Sequence, residues 1–217
     1  MGPFLSAVLR PALASTISAM AKLYFRYAAM NAGKSTALLQ AANNYEERGM
    51  RVLLFTAALD DRTGQGVVAS RLGLTRAVAT FGPQTEFTRQ HIDADVACLL
   101  IDEAQFLSRA QVRALHRLAH VDGVPVLCWG LRSDFRGEAF PGSAALLTLA
   151  DELEEMKSIC ACGRKASINM RIDAEGRRVT HGEQVLIGGN ERYRAVCPSC
   201  FYSDDNADLA RAPGLFG

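Results

Sequence analysis

A glycine-lysine-serine segment close to the start of the chain limits the possible folds more than any other feature. Residues 28–35 read AAMNAGKS and match the phosphate-binding pattern G-x-x-x-x-G-K-[ST], except that Ala28 replaces the first glycine. The replacement is a small departure, provided that Ala28 keeps a negative φ. A strand pattern precedes the segment and a helix pattern follows it, as this motif requires. We therefore predict a P-loop; the alternative is a helix start that binds no ligand.

The residue types of this loop suit the phosphates of a nucleoside triphosphate. Backbone N–H groups of the loop, and of the helix that it opens, would point at the phosphates. Lys34 would neutralise charge on the β- and γ-phosphates, and the Ser35 hydroxyl would hold Mg²⁺. Gly33 lets the backbone approach the phosphates without a Cβ atom in the way.

An apolar run that ends in two carboxylates provides the second motif. Residues 99–101 are Leu-Leu-Ile, and Asp102 and Glu103 follow them. Carboxylates at the carboxyl end of a buried strand lie at the sheet edge where open α/β folds bind ligands. We predict that Asp102 reaches Mg²⁺, directly or through water, and that Glu103 acts as a base on the nucleophile. Alone this pattern also fits a solvated strand end; the two motifs together predict an NTPase or a kinase without choosing between them.

Strand and helix patterns alternate along the chain as far as Met156. We expect the first helix to run to about Arg48, where Gly49 ends it, and another to begin at Ser108. Strands separated by helices predict parallel βαβ units and an α/β sheet. The predicted strands are 23–27, 51–56, 96–101 and 124–129.

The C-terminal part differs from this core. It contains short β-like runs at 166–172 and 184–187, with turn signals at 175–176 and 188–189, and two pairs of cysteines. The complete prediction is a P-loop (RecA-like) α/β fold with a parallel sheet core at residues 20–155. A small zinc-ribbon-like subdomain follows at 156–205, and 206–217 form a tail.

Composition describes an ordinary globular protein and gives no charge-based guide to partners. The chain has 217 residues, 49% of them apolar, with 24 basic against 23 acidic side chains. This balance predicts no charge-driven nucleic-acid or membrane partner. No stretch is long and apolar enough to span a bilayer.

Residues 1–19 differ in composition from the rest of the chain. They are rich in serine and alanine, with a single arginine and no acid, which suits an organellar presequence. The alternative, which we favour, is an upstream-extended start with translation beginning at Met20, because 20–22 lead directly into the first strand.

The cysteines fall into two groups. Cys98 and Cys128 lie in apolar runs and are predicted to be buried thiols. The remaining four predict a closed tetrahedral zinc site in a reducing compartment; they are Cys160, Cys162, Cys197 and Cys200. The first pair has C-x-C spacing, one residue shorter than the usual knuckle. Two alternatives stay open: His181 replaces one cysteine, or the pairs form disulfides.

Four motifs in order carry a resemblance to a known family. They are 30–36 (MNAGKST), 102–106 (DEAQF), 130–137 (GLRSDFRG) and 187–193 (IGGNERY). Together they closely resemble the type II thymidine kinases, the family of cellular thymidine kinase 1, in its bacterial form. The resemblance extends from about Met20 to Phe201. It implies Mg²⁺-dependent transfer of the γ-phosphoryl group of ATP to the 5′-hydroxyl of thymidine, and of deoxyuridine, in pyrimidine salvage.

The family pattern assigns roles to residues on the phosphate side. It implies that Glu103 is the general base and that Arg62 stabilises charge on the moving phosphoryl group; the alternative for 60–62 is a charged loop without a role. The implied magnesium residues are Ser35, Asp102 and Asp60. The implied ATP-binding residues are Ala28, Ala29, Met30, Asn31, Ala32, Gly33, Lys34, Ser35, Asp102, Glu103, Ala104 and Gln105.

The family pattern also implies a slot for thymine, closed by a lasso loop. Backbone groups of Ile187, Gly188 and Gly189 would face the base edge, and Tyr193 would close the pocket. The apolar lining would be Met30, Phe106, Leu131, Phe135 and Phe140, although each phenylalanine also fits plain core packing. Only the resemblance suggests inhibition by thymidine triphosphate, a homotetramer and a cytoplasmic location.

A function of another class stays open on the sequence alone. The chain also fits an NTP-driven nucleic-acid-binding protein whose zinc ribbon grips DNA. The near-neutral charge disfavours it, as does the lack of a basic or aromatic-rich face on the ribbon.

Overall fold

The computed structural model describes residues 21–60, 64, 66–186 and 191–203. The proposed extension at 1–19 and the proposed tail at 206–217 lie outside the described residues. The elements in chain order are β1 (Leu23–Ala28), α1 (Lys34–Glu46), β2 (Arg51–Ala57), β3 (Val67–Ala69), β4 (Thr75–Ala77), β5 (Ala79–Phe81), β6 (Val96–Ile101), α2 (Arg109–His120), β7 (Val126–Leu131), α3 (Pro141–Leu149), β8 (Glu152–Glu155), β9 (Ser158–Ile159), β10 (Lys165–Ala166), β11 (Ile168–Ile172), β12 (Arg178–Val179), β13 (Tyr193–Val196) and α4 (Pro198–Tyr202).

A six-stranded sheet forms the centre of the larger part. Its strand order is β5-β2-β6-β7-β1-β8, and every neighbouring pair is parallel. Strand β7 separates β1 from β6, so the loops that follow β1 and β6 open at the same edge with one strand between them. The predicted α/β P-loop fold with a parallel sheet core is therefore confirmed.

Helices bury both faces of this sheet. Helix α1 packs Leu38, Leu39 and Ala42 on one face, and α2 and α3 cover the other. Phe25 and Trp129, one in each cluster, have no exposed surface. Fully burying one large apolar side chain stabilises a fold by about 1.5–3 kcal/mol, so the sheet is a firm platform for the loops at its edges.

Local signals position the elements close to where the sequence predicts them. Helix α2 begins at a capping box, in which the Ser108 hydroxyl accepts from the Gln111 N–H at 3.1 Å and the Gln111 side chain accepts from the Ser108 N–H at 2.9 Å. Strand β7 begins two residues later than predicted. Pro125, which has no N–H to donate, precedes it and explains the shift.

The C-terminal part contains two small antiparallel sheets. Strand β9 pairs with β10, and β11 lies between β12 and β13. A separate apolar cluster, which includes Met170 and Phe201, lies beneath them. The predicted β-like run at 184–187 is wrong for its described residues, because 184–186 form no strand. Their backbone carbonyls instead accept hydrogen bonds from the side chains of Arg171 and Tyr193.

None of the helices in the described ranges has the length and apolar character that a membrane crossing requires.

Candidate active site

The P-loop connects β1 to α1 through two residues in the left-handed backbone region. Gly33 has a φ of 78°, which a side chain disfavours, so glycine is required at the residue that precedes α1. Asn31 has a φ of 67°, and asparagine tolerates this conformation better than most residues. Ala28 is not among the described residues with positive φ. The replacement of the first motif glycine therefore introduces no strain.

The first residues of α1 bring the two sequence motifs together. The Ser35 hydroxyl donates to Oδ2 of Asp102 at 3.2 Å, although these residues belong to different βα units. The Lys34 ammonium donates to the carbonyl of Ala29 at 3.4 Å, which folds it back over the loop. A cation, a hydroxyl and a carboxylate thus lie together at the carboxyl edge of the sheet.

Asp102 is a buried carboxyl group with an unusual titration. It is only 3% exposed, and its Oδ1 accepts from the N–H of Glu103 at 3.0 Å. Burial, and after it the charge of Glu103, raises the pKa of Asp102 to about 7, although that N–H, Lys34 and Ser35 act in the opposite direction. The ionised form of a buried carboxyl group is stabilised by a nearby cation. Mg²⁺ prefers oxygen ligands, so the side-chain oxygens of Asp102 and Ser35 fit a site for this ion.

Glu103 occupies a constrained turn directly after β6. Its φ is 51°, a left-handed conformation that costs a residue with a side chain on the order of 1–3 kcal/mol. Gln105, which is 1% exposed, holds this turn. Its amide nitrogen donates to the Glu103 carboxylate, and its amide oxygen accepts from the Leu131 N–H at 3.0 Å. The carboxylate is therefore oriented by a side chain that is itself anchored to β7.

Helix α3 presses against the same turn. A Cβ atom on Gly142 would lie 2.6 Å from the carbonyl oxygens of Ala104 and Leu107. Only glycine permits this approach, so α3 packs closely against the residues that follow Glu103.

Aromatic side chains line the other half of the site. The rings of Phe106 and Phe140 meet edge to face, with centroids 5.9 Å apart. Phe135 is buried, and the guanidinium of Arg171 lies 3.8 Å from its ring centroid. Arg171 also donates to the Tyr193 hydroxyl at 2.7 Å, and that hydroxyl donates to the Leu186 carbonyl at 2.8 Å. Flat apolar walls with a few fixed polar groups suit a planar heterocycle.

Asn169 connects the C-terminal part to the P-loop. It lies on β11 and is 3% exposed. Its side-chain oxygen accepts from the Met30 N–H at 2.7 Å, and its amide nitrogen donates to the Ser133 carbonyl at 3.5 Å. One buried amide thus joins β11 to the P-loop and to the chain that follows β7.

A single cavity of about 830 Å³ contains both halves. Its lining includes the polar groups around the P-loop and the end of β6, together with the aromatic walls described above. The predicted site residues that line it are Met30, Asn31, Gly33, Lys34, Ser35, Asp60, Asp102, Glu103, Gln105, Phe106, Leu131, Phe135, Phe140 and Tyr193.

The remaining predicted site residues fall into two groups. Ala28, Ala29, Ala32 and Ala104 do not line the cavity. Arg62, Ile187, Gly188 and Gly189 lie outside the described residues. Their proposed roles remain predictions.

Several residues of the site were missed by sequence reasoning. The β3–β4 hairpin places 67–72 along the cavity wall. Asn169 and Gln184 reach it from the C-terminal part, and the Gln184 amide donates to the buried Asp134 carboxylate at 3.1 Å. None of these residues lies in a phosphate-binding motif. The one local signal for Asn169 was its own polarity, since it stands between apolar residues of β11.

The four cysteines of the C-terminal part converge as predicted. Their sulfur atoms all lie within 4.8 Å of one another, and none forms a disulfide. Four thiolates around one tetrahedral zinc would be about 3.8 Å apart, so the cluster fits a structural zinc site. The His181 alternative is wrong, because the group contains Cys160, Cys162, Cys197 and Cys200 without it. The N–H of Cys200 lowers the pKa of Cys197 to about 6, which favours a thiolate there.

A family comparison decides which chemistry this site belongs to. A family model described as "Thymidine kinase" matches residues 21–201. The chain belongs to the thymidine kinase family. The resemblance to the bacterial type II thymidine kinases is thereby confirmed, and the family is one of kinases.

Bacterial relatives support this membership over most of their length. The thymidine kinase of Albidiferax ferrireducens is 63% identical over 85% of this chain and 94% of its own. The thymidine kinase of Chromobacterium violaceum is 58% identical over 85% of this chain and 100% of its own. That of Idiomarina loihiensis is 54% identical over 82% of this chain and 94% of its own. Among solved structures, the Pif1 helicase of Candida albicans aligns with a TM-score of 0.40 at 12% identity, over 66% of this chain and 37% of the helicase. A similarity this low says nothing about function.

Proposed function

We propose that this protein transfers the γ-phosphoryl group of ATP to the 5′-hydroxyl of thymidine, and of deoxyuridine, and so produces dTMP and ADP in pyrimidine salvage. The observation that carries the proposal is the shared cavity. It holds a P-loop lysine, a buried aspartate and an aromatic slot within one space of about 830 Å³. This volume lies in the upper part of the usual range of ligand pockets, about 300–1,000 Å³.

On the phosphate side, this chain supplies charge and orientation. Lys34 and the loop N–H groups would bind the β- and γ-phosphates, and Ser35, Asp102 and Asp60 would hold Mg²⁺. When bound, Mg²⁺ neutralises phosphate oxygens and so lowers the cost of the charge that moves in the transition state. Arg62 adds a further positive charge to the moving phosphoryl group.

Glu103 is the proposed general base. Glu103 lines the cavity, and its carboxylate accepts a hydrogen bond from the buried Gln105 amide, which supports this role. It accepts the proton of the 5′-hydroxyl as that oxygen attacks the γ-phosphorus and the bond to the ADP oxygen breaks. The left-handed backbone at Glu103 lets its N–H donate to Asp102, so the two acidic residues stay adjacent at the end of β6.

The aromatic half holds the base. Phe106, Phe135 and Phe140 provide flat apolar surface, and Tyr193, which also lines the cavity, is fixed by Arg171. Backbone groups of 187–189 complete the base edge as a lasso. Bound thymidine therefore presents its 5′-hydroxyl to Glu103, while the polar end of the cavity takes the triphosphate.

The remaining family features form part of the proposal. Residues 20–155 act as the kinase core, and 156–205 act as a lasso subdomain stabilised by zinc at the four cysteines. Thymidine triphosphate carries both the base and the phosphates, so it would occupy this cavity as an inhibitor. A homotetramer and a cytoplasmic location follow from the family resemblance alone.

The test is ADP release from ATP and Mg²⁺ in parallel reactions with thymidine, deoxyuridine and the other deoxynucleosides. We expect strong stimulation by thymidine and deoxyuridine, with dTMP or dUMP formed in equal amount to ADP. ATP turnover indifferent to every nucleoside would remove the substrate assignment and leave a P-loop ATPase.

A further inference from the structure

A group of three metal-ligand side chains lies at the opposite edge of the sheet from the active site. His116 and His120 are one helical turn apart on α2, and their ring centroids are 4.4 Å apart. Asp151 lies between α3 and β8 and approaches the same place. One ligand atom from each of the three lies within 4.8 Å of the other two.

We propose that His116, His120 and Asp151 form a second metal site, which takes a borderline transition-metal dication such as Zn²⁺. Two imidazole nitrogens and one carboxylate oxygen are a donor set that such ions prefer. Histidines at i and i+4 on one helix face are a spacing that binds zinc in other proteins. Two ligand atoms on one tetrahedral zinc are about 3.3 Å apart, so small changes of side-chain rotamer bring the three together.

The carboxylate is already held in place for this role. The backbone N–H of Leu23 donates to Oδ2 of Asp151 at 2.8 Å, and Nε2 of His120 lies 3.0 Å from the same oxygen. Both hydrogen bonds to this carboxylate from described residues reach Oδ2, which leaves Oδ1 available to a metal ion. The nearby ammonium of Lys22 pairs with Glu152 at 2.6 Å, which reduces its repulsion of a bound cation. Carboxylates that bind a metal are typically held by hydrogen bonds from outer-shell groups, and the Leu23 N–H provides one here.

The position of the group defines what a bound ion would do. The three side chains connect the C-terminal end of α2 to the first residue of β1 and to the connection before β8. Three protein ligands leave at least one position for water or another ligand. The ion would therefore join elements at the amino edge of the sheet and take no part in phosphoryl transfer. Without a metal, His120 and Asp151 form a hydrogen-bonded contact only.

The experiment uses full-length protein that already holds one equivalent of Zn²⁺, titrated with further Zn²⁺ in a calorimeter. We expect a second equivalent to bind to the wild type. His120→Gln and Asp151→Asn should each weaken it by roughly 100-fold, since loss of even an outer-shell partner costs 10–100-fold. His91→Gln, which alters an exposed histidine on another segment, is the matched control and should keep the second equivalent.

Stability and activity give two further readouts. Added Zn²⁺ should raise the melting temperature of the wild type and not that of His120→Gln, because binding to the folded state alone stabilises it. The nucleoside-stimulated rate should be unchanged in His120→Gln. If the wild type bound no second equivalent of Zn²⁺, or if the wild type and both variants bound it with equal affinity, the proposed metal site would be wrong. The contact of His120 with Asp151 would then be a hydrogen bond only.

Discussion

The two halves of the cavity are held in place by different kinds of interaction. We call the region around Lys34, Asp102 and Glu103 the phosphate half, and the region around the aromatic walls and Tyr193 the base half. The phosphate half is built from backbone: a P-loop between β1 and α1, and a carboxylate at the end of β6, in a sheet buried on both faces. The base half depends on side chains, because Arg171, Tyr193 and Gln184 fix segments that have no strand partners. Backbone pairing tolerates single substitutions better than side-chain tethers do. We therefore expect variants to separate the two halves.

The largest expected effect is in the phosphate half. Lys34→Ala should abolish ATP-dependent turnover, by at least about 10³-fold, because the lysine provides fixed charge to the transferred group. Thymidine binding, measured by calorimetry, should persist. Lys165→Ala, which removes an exposed lysine from the C-terminal part, is the control and should retain turnover. If Lys34→Ala also abolished thymidine binding, the two halves would not be separable.

Glu103→Gln tests the chemical step within the same half. We expect a loss of kcat of about 10²–10⁴-fold, since the amide accepts no proton from the 5′-hydroxyl. ATP binding should remain, and Glu154→Gln on the exposed side of β8 should behave as the wild type. Normal turnover by the Glu103→Gln variant would mean that another residue is the base.

Cys200→Ser breaks the base half instead. Removing one thiolate from the four-cysteine cluster should release zinc and disorganise the small sheets that carry Tyr193 and Asn169. We expect thymidine affinity and bound zinc to fall together while ATP binding persists. Ser199→Ala, an exposed neighbour in the same turn, should change neither quantity. Equal loss of ATP affinity would contradict the comparison.

The pKa of Asp102 predicts a pH effect on the phosphate half. Burial raises this pKa to about 7, so the folded state binds a proton that the unfolded state releases near pH 4. Wild type with its zinc but without Mg²⁺ should therefore lose stability as the pH rises from about 4 to about 7, with a slope of up to about 1.4 kcal/mol per pH unit. Urea unfolding at several pH values measures it. Asp102→Asn should lack this component, and an unchanged slope would place the titration elsewhere.

The smallest expected effect concerns the link between the halves. Asn169→Ala leaves the Met30 N–H without its buried acceptor, which should lower the free energy of unfolding by about 1–3 kcal/mol. Asn44→Ala, on the exposed face of α1, should cost much less. Denaturant unfolding compares the two. A loss at Asn169 no greater than that at Asn44 would show that this hydrogen bond contributes little.

Sequence reasoning predicted most of the phosphate half because its signals are local. The strand, the glycine and the helix around Lys34 are adjacent in the chain, and the run before Asp102 ends where β6 ends. Capping at Ser108 and the helix end near Gly49 were predicted for the same reason.

The base half was predicted less well, because its positions depend on contacts between distant residues. Residues 184–186 carry a strand-like pattern, yet the carbonyls of Gln184 and Leu186 bond to side chains of β11 and β13. Neither the closeness of Asn169 to Met30 nor that of His120 to Asp151 follows from any periodic pattern. The four cysteines were an exception, since paired thiols indicate a shared ligand whatever the intervening chain does.

The buried amide of Asn169 has a consequence for how the two substrates influence each other. It contacts the P-loop through Met30 and belongs to the part of the chain that we propose holds the base. If ATP orders the P-loop against this amide, the nucleoside loses less entropy in ordering its own half. Thermodynamic linkage requires the reverse to hold by the same factor, so thymidine must tighten ATP binding as much as ATP tightens thymidine binding. Cooperative substrate binding would then arise within one chain, through contacts that include this hydrogen bond.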